Sequence, residues 1–80
     1  MNGNEYLKSK GITQSMLARK MNCTRANLSL WFSGASSPTP RSIERIAQAM
    51  TVLGAENVTE ASVSLALMRS REEYQNAKGN

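Results

Sequence analysis

The stretch TQSMLARKMNCTRANLSLWFSG, residues 13–34, contains two short helical segments together with the residues that begin and end them. Thr13 and Thr24 each precede a segment, where a threonine oxygen accepts a free backbone N–H of the first helical turn. Asn22 lies between the segments, and asparagine is one of the few non-glycine residues that tolerate a positive φ. Gly34 follows the second segment and suits the left-handed conformation that often ends a helix. The stretch therefore predicts a helix, a tight turn and a second helix.

The second of these helices has one apolar face and one mixed face. At about 100° of rotation per residue, Leu28, Trp31 and Phe32 share one side of the helix. Leu17 and Met21 form an apolar pair on the preceding helix, because residues four apart share a face. We expect these side chains to hold the two helices together in the core. The other side of the second helix is then exposed and available for binding.

Further helices are predicted on both sides of this stretch. NEYLKSKG, residues 4–11, forms a short first helix with Tyr6 and Leu7 on its buried side. Pro40 after Thr39 is typical of a helix start, since proline is well tolerated at the first helical position. Apolar residues then recur at helical spacing along this fourth helix, at Ile43, Ile46, Ala47 and Met50.

Residues 58–67 allow two interpretations. Hydrophobic side chains alternate along the segment as in a strand, at Ala61, Val63, Leu65 and Leu67. Val63, Leu67 and Tyr74 instead form a stripe that suits a long helix. The charged second half of this region has no strand character, so a helix from about residue 60 to residue 76 is favoured and the strand remains the alternative. The sequence thus predicts an all-α fold, a compact bundle of four to five helices.

The composition limits the class of protein. A chain of 80 residues forms one small domain with a marginal core. No apolar run approaches the ~20 residues that cross a membrane, and the polar start MNGNEYLKSKG predicts no secretory signal. The single cysteine, Cys23, excludes an intrachain disulfide and a multi-cysteine zinc site, and it fits a reducing compartment. We therefore expect a cytoplasmic protein with no membrane contact.

An enzymatic function has little basis in this sequence. The chain has no histidine, a single cysteine and no glycine-rich phosphate loop. Its adjacent carboxylates, Glu72 and Glu73, are typical of the solvated face of a helix. We therefore expect no catalytic residue, no metal ligand and no cofactor.

The distribution of charge favours binding to a polyanion. Residues 1–50 contain seven Lys or Arg against two acids, whereas residues 51–80 contain three against four. A basic half of this kind is typical of a surface that binds nucleic acid, although solvated surfaces show it about as often. The charge therefore raises the hypothesis of DNA binding without deciding it.

A helix, a tight turn and a helix form the motif whose second member enters the DNA major groove. GITQSMLARKMNCTRANLSLWFSG followed by PRSIERIAQAM resembles the Cro/C1-type helix-turn-helix family of bacterial and phage repressors, over about residues 5–53. The Thr-Gln start, the Leu-Ala pair, the glycine after the second, or recognition, helix and the proline-led fourth helix occur in the family's order. Asn22 departs from the glycine usual in the family, and Phe32 departs from the acidic residue of many members.

The segment LARKMNCTRANLSLWF is also similar to the second and third helices of homeodomains, which carry a Trp-Phe pair. Those domains continue the recognition helix with an asparagine and clustered arginines. Here Ser33, Gly34 and a proline-containing loop follow instead, and a fourth amphipathic helix comes next. The resemblance to the repressors is therefore favoured.

The outward residues of the recognition helix are predicted to contact bases. They are Arg25, Ala26, Asn27, Ser29 and Leu30. Arg25 suits the O6 and N7 acceptors of guanine, and Ala26 and Leu30 suit thymine methyl groups. Asn27 or Ser29 reaches a base edge or a phosphate. For Leu30, a contact with another protein chain is as well supported as a contact with a base.

A second group of residues is predicted to contact DNA phosphates. It consists of Gln14, Thr24, Ser33, Ser36, Ser37 and Arg41. The resemblance implies that Gln14 and the backbone N–H groups near it meet a phosphate, and helix N-termini also suit anions on physical grounds. The serines and Arg41 surround the end of the recognition helix and the start of the fourth. Phosphate contacts of this kind position a protein on DNA without reading its sequence.

The predicted function is that of a sequence-specific transcription regulator, a repressor that binds an inverted-repeat operator in double-stranded DNA as a homodimer. Residues 1–55 form the DNA-binding domain, and residues 56–80 form a C-terminal helical segment for dimerisation or partner contact. Val63, Leu67 and Tyr74 are expected at the dimer interface. The alternative is an interaction adaptor, such as an antitoxin or a transposition-complex subunit. In that case the C-terminal segment binds another protein and DNA binding is weak.

Overall fold

A computed structural model describes residues 1–78 and contains five α-helices joined by turns and loops. The helices are α1 (Gly3–Ser9), α2 (Gln14–Met21), α3 (Arg25–Ser33), α4 (Pro40–Val52) and α5 (Glu60–Lys78). No strand occurs in residues 1–78, so the all-α prediction is confirmed and the alternative of a strand at residues 58–67 is wrong. Gly79 and Asn80, at the end of the predicted C-terminal segment, lie outside the described residues.

Polar side chains begin the first four helices. The Oγ1 atoms of Thr13, Thr24 and Thr39 each accept a backbone N–H from three residues later, at 3.1, 3.2 and 3.1 Å. These contacts confirm the three predicted helix starts. Helix α1 begins one residue earlier than predicted, because Asn2 and Glu5 form a reciprocal capping box with both hydrogen bonds at 2.9 Å.

The core lies between α5 and the other four helices. Helix α5 packs against α1, α3 and α4, and α2 packs against α3 and α4. The largest fully buried side chains are Phe32, Leu17, Leu28, Ile46, Met50 and Val63. They come from α2, α3, α4 and α5, so the C-terminal helix shares one core with the helices before it.

The stripe on α5 that was expected to bind a second copy lies mostly inside the chain's own core. Val63 is 1% exposed and Leu67 is 3% exposed. Neither side chain can reach a partner, so their assignment to a dimer interface is wrong. Tyr74 is half-buried, and the Nζ atom of Lys78 lies 5.7 Å from the centroid of its ring. The stripe is apolar because the chain's own helices cover it.

The two aromatic residues of α3 differ in their burial. Phe32 is 2% exposed and reaches α1, where an ideal Cβ built on Gly3 would lie 2.7 Å from its Cδ1 atom. Trp31 is half-buried and packs at the edge of the core. Phe32 and the fully buried Leu28 are therefore the side chains that hold α3 in place, and Trp31 contributes less than its position in the sequence predicts.

Gly34 brings α3 and α5 into direct backbone contact. It ends α3 in the left-handed conformation with φ 91°, as predicted. An ideal Cβ at this position would overlap the carbonyl oxygen of Ser70 and would lie 2.5 Å from its carbonyl carbon. A residue with a side chain therefore cannot occupy this position unless α5 moves away from α3.

Substitution of Gly34 by alanine is expected to destabilise the fold by about 2–5 kcal/mol. Left-handed strain contributes about 1–2 kcal/mol, and the overlap with α5 adds about 1–3 kcal/mol. Gly54→Ala is the matched control, because Gly54 has φ 98° and no atom lies within 4 Å of its ideal Cβ. Urea denaturation of both variants measures the free energy of unfolding. Equal losses in the two variants would contradict the proposed role of the contact with Ser70.

Candidate nucleic-acid interface

Helices α2 and α3 are joined by a turn of three residues, Asn22 to Thr24. Asn22 has φ 55° and ψ 46°, the left-handed conformation that the sequence predicts at this position. The N–H of Cys23 donates to the carbonyl oxygen of Ala18 at 3.0 Å, which closes the end of α2. Thr24 then caps α3. The tight turn fixes the direction in which α3 leaves α2.

An arginine from α4 also holds this turn. The Nη2 atom of Arg45 donates to the carbonyl oxygen of Met21, the last residue of α2, at 2.9 Å. The last carbonyls of a helix lack partners within the helix and carry partial negative charge. The guanidinium of Arg45 therefore supplies a hydrogen-bond donor to this end of α2 and neutralises its partial charge. Arg45 was not predicted as part of the site, because its contact with Met21 joins residues 24 positions apart and no local sequence pattern indicates it.

The residues predicted to contact bases form one exposed surface on α3. Arg25, Ala26, Asn27, Ser29 and Leu30 are all exposed. Their helix is oriented by its opposite face, where the side chains of Leu28 and Phe32 are buried. The first turn of α3 contains no acidic residue that would repel DNA. The structure therefore brings the five predicted residues together on a single solvent-facing side.

The residues predicted to contact phosphates lie around this surface on several elements. Thr24, Ser33, Ser37 and Arg41 are exposed, and Gln14 and Ser36 are half-buried. Gln14 is the first residue of α2, and its Nε2 atom donates to Oδ1 of Asn4 on α1 at 2.7 Å. That contact orients the Gln14 amide at the N-terminus of α2, where backbone N–H groups are free to meet an anion.

Positive charge is concentrated in the part of the chain that carries this surface. Residues 6–43 contain six Lys or Arg and no Asp or Glu. Arg19 and Lys20 are exposed in the last turn of α2. Four of the six acidic residues of the chain lie in residues 56–73. Helices α1 to α3 and the loops beside them therefore present a basic surface that attracts a polyanion.

Residues 1–78 form neither a metal site nor a membrane-spanning helix. No group of three or more His, Cys, Asp or Glu side chains is placed to hold a metal ion in this part of the chain. Over the same residues, no helix combines the length and the hydropathy needed to span a bilayer.

Two helices in this arrangement, with an exposed and basic start to the second, define a helix-turn-helix DNA-binding protein. A family model described as Helix-turn-helix matches residues 4–53, which contain α2, α3, α4 and most of α1. The chain belongs to this family, the Cro/C1-type helix-turn-helix proteins, and it is a DNA-binding transcription regulator. The resemblance predicted over about residues 5–53 is thereby confirmed. No curated protein and no solved structure matches the chain.

The left-handed residue of the turn provides a direct test of this local geometry. Asn22→Ala is expected to lower the free energy of unfolding by about 1–2 kcal/mol, because alanine is strained at positive φ. Asn22→Gly restores the residue usual in the family and is expected to leave that free energy within about 0.5 kcal/mol of the original value. Urea denaturation measures both effects. If alanine were tolerated as well as glycine, the turn would not require a left-handed residue.

Proposed function

We propose that this protein is a repressor of the bacterial or phage type that acts in the cytoplasm and reads one operator sequence with α3. The observation that carries the proposal is the exposed face of α3 from Arg25 to Leu30, which is rigidly oriented by a buried opposite face. A helix held in this way can enter a major groove with its outer side chains directed at the base edges.

Arg25 is the strongest candidate for reading a base. It is the first residue of α3, where recognition helices of this class make many of their base contacts. Its side chain is exposed and makes no hydrogen bond or ion pair within residues 1–78, so its donors are available to guanine. Ala26, Asn27, Ser29 and Leu30 complete the proposed base-reading face.

Phosphate contacts would frame this face on both sides. Gln14 lies at the start of α2, and Arg41 lies at the start of α4. Ser33, Ser36 and Ser37 lie at the end of α3 and in the loop that follows it. These groups would fix the orientation of the protein on the duplex, and the basic charge of residues 6–43 would supply much of the affinity.

The proposed dimer requires a surface other than the buried stripe of α5. Leu65 is 55% exposed and Met68 is 56% exposed, and at a spacing of three residues they share one side of α5. We assign this side to a second copy of the chain, because an inverted-repeat operator requires a two-fold dimer. The adaptor alternative would place a different protein on the same side of α5.

The two-fold arrangement predicts the form of the DNA site. Duplexes selected by the protein from a random-sequence pool are expected to contain an inverted repeat. Its half-site centres should lie about 10 base pairs apart, or a multiple of that distance. Sequencing of the selected pool and footprinting of its members measure the spacing. Recovery of one isolated half-site would contradict the dimer.

The surface assigned to the dimer can be tested in the same assays. A variant with Leu65→Ser and Met68→Ser changes exposed side chains, so we expect it to stay folded. It should sediment as a monomer and protect half-sites less cooperatively than the unaltered protein. A monomeric unaltered protein that binds DNA weakly would instead favour the adaptor.

The role of Arg25 predicts a loss that depends on DNA sequence. Arg25→Ala should weaken binding to the selected site by about 1–3 kcal/mol and remove the preference at one base pair. Its free energy of unfolding should change by less than about 0.5 kcal/mol, because the side chain is exposed. Titrations against the selected site and single-substituted sites measure the effect.

Arg69→Ala is the control for this substitution. It removes the same charge from an exposed position on α5, outside the proposed base and phosphate contacts. Its effect is measured on a duplex that carries one half-site, because Arg69 lies four residues from Leu65, beside the side of α5 assigned to the second copy. An equal loss of affinity on every DNA sequence after Arg25→Ala would show that Arg25 contacts a phosphate and does not read a base.

A further inference from the structure

An arginine of α5 reaches the end of the recognition helix. The Nη1 atom of Arg71 donates to the carbonyl oxygen of Gly34 at 2.8 Å and to that of Ala35 at 3.0 Å. The two contacts span 37 and 36 residues of the chain, and both are partly buried. Arg71 lies outside residues 4–53, the part of the chain that the family model matches.

The positive charge of Arg71 lies at the negative end of α3, which has no basic residue of its own. The C-terminus of a helix carries partial negative charge from carbonyl groups that have no partner within the helix. The last turn of α3 contains no basic residue of its own. The guanidinium of Arg71 donates to the carbonyls of the cap residue Gly34 and of Ala35, just beyond this end, and such charge-assisted hydrogen bonds are stronger than neutral ones. Arg71 therefore makes this end of α3 less repulsive to a nearby phosphate.

The loop after α3 is held from three directions. Gly34 lies against the backbone of Ser70, and Arg71 holds the two carbonyls. The N–H of Ser36 donates to the carbonyl oxygen of Leu30 at 3.0 Å. Ser36 and the adjacent Ser37 are proposed phosphate contacts, so the position of the loop decides whether they meet the DNA backbone.

We propose that Arg71 is a positioning residue of the DNA interface, which touches no DNA and acts through the carbonyls of Gly34 and Ala35. It holds the loop after α3 in the geometry that Ser36 and Ser37 require, and it neutralises the carbonyl groups beside them. This inference rests on the proposed function. It extends the DNA-binding unit to a helix beyond the matched residues 4–53.

The test compares two arginines of the same helix. Arg71→Met removes the charge and the donors but retains an unbranched side chain. Arg69→Met removes an equal charge two residues away, where the exposed side chain has no hydrogen bond or ion pair within residues 1–78. Arg71→Lys restores the charge and one donor nitrogen. The probes are a duplex selected by the unaltered protein from a random pool and poly(dI-dC) as non-specific DNA.

Affinity is measured for each protein over a series of KCl concentrations, below the melting transition of every variant. Arg71→Met should bind the selected duplex about tenfold more weakly, with Arg71→Lys between it and the unaltered protein. The slope of log affinity against log salt should stay unchanged in Arg71→Met, because the serine contacts that weaken are uncharged and no Lys or Arg is removed from a phosphate. On a duplex that carries one half-site, where the side of α5 assigned to the second copy takes no part, Arg69→Met should bind within about twofold of the unaltered protein.

Two results would overturn the role of Arg71. A slope reduced by about 0.9 in Arg71→Met would show that the arginine itself contacts a phosphate. Equal losses in Arg71→Met and Arg69→Met would show a general effect of charge.

Amide hydrogen exchange gives a readout that needs no DNA. Loss of the Arg71 contacts should accelerate exchange at the Ser36 N–H more than at the buried amides of α4. Uniform acceleration would indicate only a loss of global stability and would overturn the positioning role. If the unaltered protein bound neither probe, the proposed function would fail, whereas the exchange result would still report whether Arg71 holds the loop.

Discussion

The close contact between Gly34 and the backbone of Ser70 sets the spacing between α3 and α5. It permits α5 to lie directly against the end of α3, at a distance that any side chain at position 34 would prevent. On its other side, the Oγ atom of Ser70 accepts the N–H of Gly3 at 2.7 Å. Three helices thus meet at one buried serine, between two residues that have no Cβ. This close packing supports the helix-turn-helix from the side opposite its exposed face.

Local chemistry explains why much of the fold could be predicted from the sequence. Threonines at 13, 24 and 39 begin helices because their hydroxyl oxygens lie within reach of a free N–H three residues later. Asn22 and Gly34 adopt left-handed conformations because few other residues do so at low cost. The exposed face of α3 follows from helical rotation once its opposite side is buried. Each of these features is decided by residues within about one helical turn.

The features that the sequence did not predict depend on partners distant in the chain. Arg45 holds the end of α2 and Arg71 holds the end of α3 through contacts that span 24 residues or more, and neither arginine belongs to a local pattern. The stripe of Val63 and Leu67 was predicted as apolar, but periodicity does not reveal which surface covers it. The difference in burial between Trp31 and Phe32 was not predicted for the same reason, because rotation about the helix does not measure the depth of burial. Such assignments require the packing of whole helices.

The joining of α1 to α5 also constrains when the protein becomes functional during its synthesis. The hydrogen bond from Gly3 to Ser70 spans 67 residues, and the Nδ2 atom of Asn2 donates to Glu73 across 71 residues. The recognition helix is synthesised well before α5, which supplies Val63, Leu67 and Ser70 to its support. A nascent chain that has emerged only through α4 therefore carries every side chain proposed to read bases but lacks one of the helices that hold α3 in place. The packing that supports α3 is thus complete only after α5 has been translated.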